Sequence, residues 1–201
     1  MTVVAGIILC GGESRRMGRP KAALPFGSVS LLELVAGIVG SVCDPVLVVA
    51  ASGQELPPLP AFAQVVRDSV DREGPLRGFT TGLEALPDSV ELVFLASTDA
   101  PLLKPAWITR LVELIGDNDL IVVKHGAYHH PLAALYRRAT ILPAATELLQ
   151  HDQRRLLSLV DVVRSNVIAA EAMRDIDPGL DSLRNLNTPD DYAQALAGRD
   201  E

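Results

Sequence analysis

The sequence predicts an α/β fold in which mostly parallel strands are buried between helices. Short apolar runs alternate along the chain with stretches whose apolar residues repeat at helical spacing, which is typical of parallel strands covered on both faces. The 201 residues are 48% hydrophobic and 21% charged, the profile of a globular protein with a substantial core. Because no composition break, internal repeat or low-complexity tract divides the chain, we expect a single domain over residues 1–201.

The individual elements follow from the same patterns. Strands are predicted where the apolar runs are short and continuous, at residues 3–9, 45–50, 65–66, 92–95, 120–123, 132–136 and 167–169. Helices are predicted where apolar residues recur every three or four positions, at residues 31–42, 75–86, 106–115, 139–149 and 156–162. A last helix is expected after Thr188, which suits the N-cap, with Pro189 in its first turn.

Charge, cysteine content and hydropathy exclude several classes of protein. A net charge of -7 disfavours a nucleic-acid partner, because such proteins usually carry a basic excess. Cys10 and Cys43 are too few for a disulfide framework and lack the spaced partners of a zinc site. No apolar run reaches the roughly 18 residues of a membrane span, and the first run lacks a basic leader and a cleavage site. We therefore expect a soluble, cytoplasmic protein with no membrane partner.

The most informative segment runs from Leu9 to Lys21 and reads LCGGESRRMGRPK. It follows the first predicted strand, and ligands of open α/β sheets bind outside the carboxyl ends of the strands. Gly11 and Gly12 would let the backbone approach a phosphate or a base closely, while Arg15 and Lys21 would add charge-assisted contacts. The segment matches neither a Walker loop nor a dinucleotide fingerprint. The alternative is an ordinary turn between strand and helix with solvated arginines.

Two carboxylates follow later strands and are expected at the same edge. Asp99 comes after the apolar strand VFLAS, and a carboxylate beside a triphosphate suits Mg²⁺, which prefers one or two carboxylates together with phosphate oxygens and water. Asp68 follows Val65 and Val66 and could also face the nucleotide. The alternatives are that Asp99 caps a turn before Pro101 and that Asp68 forms an Asx-turn or an N-cap.

These segments together resemble the molybdenum cofactor guanylyltransferases, a family that attaches GMP to molybdopterin. The resemblance rests on the loop and on four further motifs that occur in the same order, which are residues 67–69 with 73–78, residues 97–101, residues 130–132 and residues 185–189. It implies a Rossmann-like three-layer αβα sandwich with a mostly parallel sheet, of the nucleotide-diphospho-sugar transferase type. The implied reaction uses GTP and molybdopterin, requires Mg²⁺ and releases pyrophosphate.

The resemblance also implies roles for individual residues. Catalysis would rest on Lys21 and Arg15, which neutralise phosphates, and on Asp99, which holds the metal. The nucleotide would be bound by the loop and the two carboxylates, a set that comprises Leu9, Cys10, Gly11, Gly12, Lys21, Asp68 and Asp99. Asn185 and Asn187 are expected to secure the last turn by backbone hydrogen bonds.

Several other residues are given weaker roles. His129 and His130 are expected to shape the acceptor pocket, because consecutive residues of an extended segment point to opposite sides and do not readily chelate one ion. Arg154 and Arg155 are expected to form a solvated surface, and the resemblance offers the alternative that they hold the phosphate of the acceptor.

The choice of base and the reaction class leave alternatives open. The pair Gly11-Gly12 favours GTP, whereas related cytidylyltransferases more often carry alanine followed by glycine. Ala50 stands where the guanylyltransferases commonly place an asparagine, and Ser52 is a candidate replacement. The alternatives are a cytidylyl- or sugar-phosphate nucleotidyltransferase, and a non-catalytic GTP-binding protein that hands the cofactor to molybdoenzymes or their chaperones.

Overall fold

A computed structural model describes residues 3–10, 20–68 and 73–198 of the chain. Ten strands occur in these ranges, namely β1 (Val4–Leu9), β2 (Pro25–Phe26), β3 (Val29–Ser30), β4 (Val46–Ala51), β5 (Ala63–Asp68), β6 (Leu92–Ser97), β7 (Leu120–His125), β8 (Tyr128–His129), β9 (Ala133–Arg137) and β10 (Ser165–Ala169). The α-helices in the same ranges are α1 (Leu31–Gly40), α2 (Pro75–Ala85), α3 (Pro105–Leu114), α4 (Arg138–Gln150), α5 (Leu159–Val162) and α6 (Pro189–Ala197). Short 3-10 helices cover Lys21–Ala23, Leu156–Ser158, Ala170–Met173 and Asp181–Leu183.

The main sheet has the strand order β10-β7-β9-β6-β1-β4-β5, with β8 paired to β7. Strands β6, β1, β4 and β5 run parallel to one another, and β10 runs parallel to β7. Strand β9 is antiparallel to both β6 and β7. Too few residues separate β7 from β9 for the crossover that a parallel pair requires, so the chain returns antiparallel.

Helices cover both faces of this sheet, and the alternation of side chains along the strands separates two apolar clusters. Ile8 of β1 lies in the cluster with α1 and α3, and the next residue back, Ile7, lies in the cluster with α2, α4 and α5. The predicted αβα sandwich with a mostly parallel sheet is therefore confirmed. Strand β5 is an exception to burial on both faces, because it lies at the edge and leaves Val65 43% exposed.

Three local features differ from the sequence expectations. The hairpin of β2 and β3 was not predicted, because two residues per strand give no periodic signal. The segment predicted as one helix at 156–162 is a 3-10 turn followed by the single-turn helix α5. The helix expected to reach residue 42 ends at Gly40.

Helix α2 packs directly against strand side chains at two glycines on its inner face. A Cβ atom at Gly82 would lie 2.8 Å from Cδ1 of Ile7, and one at Gly78 would lie 3.5 Å from Cδ2 of Leu9. The first turns of α2 are thereby held against the carboxyl end of β1. Among the described residues, no helix is long and apolar enough to cross a membrane.

Candidate functional site

The carboxyl ends of four neighbouring parallel strands meet at one edge of the sheet. Strand β1 ends at Leu9, β4 at Ala51, β5 at Asp68 and β6 at Ser97, and these strands are adjacent in the order β6-β1-β4-β5. The segment from Leu9 to Lys21 begins at this edge, as the sequence indicates. Open α/β sheets bind ligands at this kind of edge.

Lys21, Asp99 and Asn187 form a polar cluster at this edge. The Lys21 Nζ atom lies 3.3 Å from Oδ2 of Asp99 and donates a hydrogen bond of 3.2 Å to Oδ1 of Asn187. The side chains of Lys21 and Asp99 are 21% and 20% exposed, so both are accessible to a ligand. The cluster places a cation and a carboxylate together at the end of β6.

The Asp99 carboxylate and backbone are both fixed by neighbours. The Ser97 hydroxyl donates to Oδ1 of Asp99, and the backbone N–H of Leu186 donates to the Asp99 carbonyl at 2.8 Å. The Thr98 hydroxyl donates to the Leu9 carbonyl at 3.2 Å, which ties the turn after β6 to the end of β1. Asp99 is therefore held in position by both the strand before it and the C-terminal segment.

Asn187 has two functions in the structure, and sequence reasoning foresaw only one. Its backbone N–H donates to Oδ2 of Asp191 at 3.0 Å, and Asp191 forms a capping box with Thr188 at the start of α6. This agrees with the expected securing of the last turn. The contact of its side chain with Lys21 joins residues 166 positions apart, which no local pattern indicates.

Leu9 is the last residue of β1, and Cys10 follows it at the edge of the sheet. The Cys10 N–H donates to the Val49 carbonyl at 2.8 Å, and the Cys10 residue is only 5% exposed. Burial raises the pKa of the Cys10 thiol, although hydrogen bonds from Thr98 and Gln54 oppose this. A buried thiol with a raised pKa is a poor nucleophile, so Cys10 contributes packing and backbone at this position.

Asp68 ends β5 and faces the first turns of α2. The Thr81 hydroxyl donates to its Oδ1 at 3.4 Å, and a Cβ at Gly78 would lie 3.8 Å from its Oδ2. Its carbonyl accepts a hydrogen bond from the Ser52 N–H at 3.1 Å. Asp68 thus lies two strands away from the end of β1, across β4.

Three residues of the predicted site, Arg15, Gly11 and Gly12, lie outside the described residues. The remaining five, which are Leu9, Cys10, Lys21, Asp68 and Asp99, all lie at the carboxyl edge of the sheet. Their parts in binding and catalysis stay predictions.

One residue at this edge was missed by the sequence analysis. Gln54 lies in the turn after β4, and its carboxamide donates to the Cys10 carbonyl at 2.7 Å and accepts from the Ala51 N–H at 3.2 Å. The proposed replacement for an asparagine at Ala50 was Ser52, which is exposed. The sequence does carry a turn signal here, the glycine at position 53, which adopts a φ of +74° in the structure. That signal predicts a turn after β4 but not the contact of Gln54 with Cys10.

Arg154 forms ion pairs with acidic neighbours near the N-terminus of α2. Its guanidinium lies 3.3 Å from Glu73 and 2.7 Å from Asp152, and Glu73 also pairs with Arg77. The hydrogen bonds that Arg154 donates to Asp152 and Glu73 raise the pKa of Arg154, and the one that Arg77 donates to Glu73 lowers the pKa of Glu73. The surface interpretation fits these ion pairs better than a contact with an acceptor phosphate.

A small cavity of about 80 Å³ lies between the β8–β9 connection and the C-terminal segment, lined by His129, His130, Pro131, Leu132, Ala133, Ser182, Leu183 and Asn185. Asn185 lies next to Leu186, whose N–H contacts the Asp99 carbonyl. Burial lowers the pKa of His130, and its neighbours His125 and His129 lower it further, which favours the neutral imidazole. The cavity thus places polar side chains beside the Asp99 segment.

A metal ion at this edge would rely on few protein ligands. No group of three or more histidine, cysteine, aspartate or glutamate side chains suited to a metal occurs in ranges 3–10, 20–68 and 73–198. Asp99 provides a single accessible carboxylate. This donor set fits Mg²⁺, which takes one or two carboxylates and completes its shell with phosphate oxygens and water.

Sequence comparisons identify relatives of the whole chain. A family model for the MobA-like NTP transferase domain matches residues 6–167. A probable molybdenum cofactor guanylyltransferase of Mycobacterium avium (strain 104) is 38% identical over 198 residues, covering 96% of this chain and 95% of the relative. A probable molybdenum cofactor guanylyltransferase of Mycobacterium tuberculosis (strain ATCC 25618 / H37Rv) is 37% identical over 189 residues, covering 92% and 89%.

Solved structures show the same fold. The molybdopterin-guanine dinucleotide biosynthesis protein A of Archaeoglobus fulgidus superimposes with a TM-score of 0.78 at 22% identity, covering 98% of each chain. The 2-C-methyl-D-erythritol 4-phosphate cytidylyltransferase of Thermus thermophilus superimposes with a TM-score of 0.74 at 18% identity, covering 100% of each chain. The expected nucleotide-diphospho-sugar transferase fold is thereby confirmed. With the family model and the close relatives together, the chain belongs to the MobA-like NTP transferase family and is a nucleotidyltransferase.

Proposed function

We propose that the protein transfers GMP from GTP to molybdopterin, which forms the guanine dinucleotide cofactor and releases pyrophosphate. The observation that carries the proposal is the approach of the Lys21 ammonium to the Asp99 carboxylate, 3.3 Å apart, at the carboxyl edge where the glycine loop begins. A cation and a metal-binding carboxylate beside a glycine loop are the groups that a triphosphate requires. The acceptor is taken from the relatives, which are named guanylyltransferases of the molybdenum cofactor.

In this reaction an oxygen of the acceptor phosphate attacks the α-phosphorus of GTP. The new bond joins that oxygen to the α-phosphorus, and the bond to the bridging oxygen of the β-phosphate breaks, so pyrophosphate leaves with the electron pair. The attacking phosphate is already anionic, so no side chain has to remove a proton. Catalysis then rests on positioning and on neutralising charge.

Lys21 supplies the positive charge for the phosphates. Its Nζ is held between Asp99 and Asn187, so the ammonium is positioned before the nucleotide arrives. Preorganised charge stabilises a transition state without reorganisation during the reaction. Arg15 is proposed to act on the same phosphates, and Gly11 and Gly12, with the backbone of Leu9 and Cys10, are proposed to hold the nucleotide.

Asp99 is proposed to hold Mg²⁺ with the oxygen atoms of its carboxylate. When bound, the ion would supply charge neutralisation at the phosphates. Lys21 Nζ lies beside Oδ2 of Asp99, and the Ser97 hydroxyl orients Oδ1. These two contacts keep the carboxylate turned toward the edge at which the loop begins.

The acceptor is proposed to enter from the side of the cavity of about 80 Å³ beside Asn185. The neutral form of the His130 imidazole is favoured there, since burial lowers its pKa, and this form can accept or donate a hydrogen bond without charge. Asp68, on the other side of β1, is proposed to contact the nucleotide. The two substrates would then meet between these sides, near Lys21 and Asp99.

Ala50 favours a second candidate, transfer of CMP in place of GMP. This residue is only 1% exposed and offers no polar side chain to a base at the end of β4. The 2-C-methyl-D-erythritol 4-phosphate cytidylyltransferase of Thermus thermophilus has the same architecture, which is therefore compatible with transfer of a cytidylyl group. A non-catalytic cofactor-handover protein would explain neither the Lys21 position nor the family membership.

The test is pyrophosphate release with Mg²⁺ and metallated molybdopterin, comparing GTP, CTP, ATP and UTP in parallel. The proposal predicts release that is selective for GTP and absent without the acceptor. Selectivity for CTP would support the second candidate. Binding of GTP without turnover over any acceptor or metal would contradict the transfer reaction and support the handover protein.

A further inference from the structure

The carboxamide of Gln54 lies inserted between the ends of β1 and β4. In a parallel ladder, a residue that donates to one carbonyl of the neighbouring strand accepts from the N–H two residues further along that strand. Cys10 donates to the Val49 carbonyl at 2.8 Å, so its own carbonyl should accept from the Ala51 N–H. That direct bond is replaced, and the regular register ends at Leu9 and Val49.

The replacement reproduces the two hydrogen bonds of a peptide group. Ala51 donates to Oε1 of Gln54 at 3.2 Å, and Nε2 of Gln54 donates to the Cys10 carbonyl at 2.7 Å. One carboxamide therefore separates the Cys10 carbonyl from the Ala51 N–H at the ends of β1 and β4, and both of these backbone groups remain paired.

The backbone of Gln54 is held by a second set of contacts, from Arg67 of β5. Arg67 Nη1 donates to the Gln54 carbonyl at 2.7 Å and to the Ala51 carbonyl at 3.1 Å, across the turn. Gly53, with φ of +74°, allows the chain to reverse so that the Gln54 side chain points back to β1.

We infer that Gln54 is a positioning residue for the nucleoside triphosphate, acting through the backbone of Cys10 at the end of β1. By bridging β1 and β4 it fixes the gap between the two strand ends and the position of the Cys10 carbonyl. The inference rests on the proposed function in that the backbone of Leu9 and Cys10 is taken to contact a nucleoside triphosphate. The inference predicts weaker binding of the nucleotide when Gln54 is changed. It predicts little change in the KM for the acceptor or in kcat at saturating nucleotide.

The test measures GTP affinity by calorimetry in the presence of Mg²⁺, together with KM and kcat for pyrophosphate release. Gln54→Leu removes both side-chain hydrogen bonds at similar volume. We expect the dissociation constant and KM for GTP to rise about tenfold, the effect expected when one buried hydrogen-bonded bridge is lost. The matched control is Gln64→Leu, the same change at an exposed glutamine of β5, for which a shift of at most about twofold is expected. Wild-type affinity in Gln54→Leu would overturn the inference.

A second variant gives a readout that simple loss of packing would not move. In Gln54→Glu the protonated side chain can still donate to the Cys10 carbonyl and accept from the Ala51 N–H, whereas the carboxylate cannot donate. The ratio of the variant's GTP dissociation constant to that of the wild type should therefore fall when the pH is lowered from about 8 to about 5. A ratio that does not change with pH would overturn the inference.

The outcomes separate this inference from the proposed function. Circular dichroism checks that each variant is folded, and Gln54→Glu remains available if Gln54→Leu is not. A wild type that binds GTP without turnover would contradict the transfer reaction, while the calorimetric comparison would still decide on Gln54. A wild type that binds no nucleoside triphosphate would overturn both.

Discussion

At the scale of single residues, the site depends on how a lysine and a carboxylate share one edge of the sheet. Lys21 follows the loop, and Asp99 follows β6, 78 positions later in the chain. The ion pair is partly exposed, so it adds little to stability. We propose that the pair presents both charges to a ligand, and changes at either residue should affect turnover more than folding.

Asp99→Asn is predicted to reduce kcat by at least about 10³-fold, because the carboxylate that would hold the metal is lost. The fold should be unaffected, since the amide can still accept from Ser97. Steady-state pyrophosphate release, with circular dichroism of the purified variant, measures both. The control is Asp117→Asn, the same change at an exposed aspartate before β7, and activity in Asp99→Asn equal to that control would remove Asp99 from the mechanism.

Lys21→Met is predicted to lower kcat/KM by about 10²- to 10³-fold, because the charge proposed to neutralise the phosphates is removed at nearly constant length. Lys21→Arg keeps the charge and should recover part of the loss, although its planar guanidinium does not match the position between Asp99 and Asn187. Equal rates in the two variants would show that charge at this position does not matter.

At the scale of elements, the C-terminal segment completes the site because it is fastened to the start of α3. The Lys104 Nζ atom lies 2.6 Å from Oδ1 of Asp177, and Ser182 donates its N–H to Oδ2 of Asp177 at 2.8 Å. The Asp177 side chain is fully buried. This link holds the chain that continues to Leu186 and Asn187, and so it contributes to the placement of Asp99 and Lys21.

The stability contributed by Asp177 is predicted to depend on pH. Burial alone would raise the pKa of Asp177, but the bonds from Lys104 and Ser182 outweigh it and hold the pKa below its ordinary value. A lowered pKa stabilises the native state above the pKa of the unfolded chain, and this contribution is lost as the pH falls through the native value. Asp177→Asn should therefore lower the free energy of unfolding by about 1–2 kcal/mol at pH 7. This value allows for solvent screening of the ion pair, because Lys104 is partly exposed.

Urea denaturation at pH 7 and near pH 3 checks this prediction. The difference in free energy of unfolding between wild type and Asp177→Asn should shrink at the lower pH. Asp117→Asn is the control, because Asp117 is exposed and has no part in the buried link. An equal difference at both pH values would show that ionisation of Asp177 does not carry the effect.

The elements that sequence could predict are those with a local signal. The apolar runs of β1, β4 and β6 and the Thr188-Pro189 start of α6 are recognisable because burial and capping act within a few residues. The antiparallel direction of β9 and the bridge of Gln54 depend on contacts between distant segments. Lys21 and Asp99 could be predicted as a pair from strand ends, but their link to Asn187 could not.

At the scale of the whole molecule, two apolar clusters share one sheet. The central strands contribute side chains to both clusters, so loss of the helices on either face would expose apolar side chains of the same strands to water. We propose that the chain is one domain, and expect a single cooperative unfolding transition that coincides by circular dichroism and tryptophan fluorescence. Trp107 is fully buried in the cluster with α1 and α3 and reports on that face. Two separate transitions would indicate two domains.

The reaction itself is tested most directly by following the phosphorus atoms of GTP. The protein is incubated with Mg²⁺, metallated molybdopterin and GTP labelled at either the α- or the γ-phosphate, with Asp99→Asn as the negative control. We expect the α-label to move to the acceptor and the γ-label to leave as pyrophosphate, and we expect neither event with the variant. Release of the γ-label as orthophosphate, or an α-label that stays on free nucleotide while the acceptor is present, would contradict the proposed reaction.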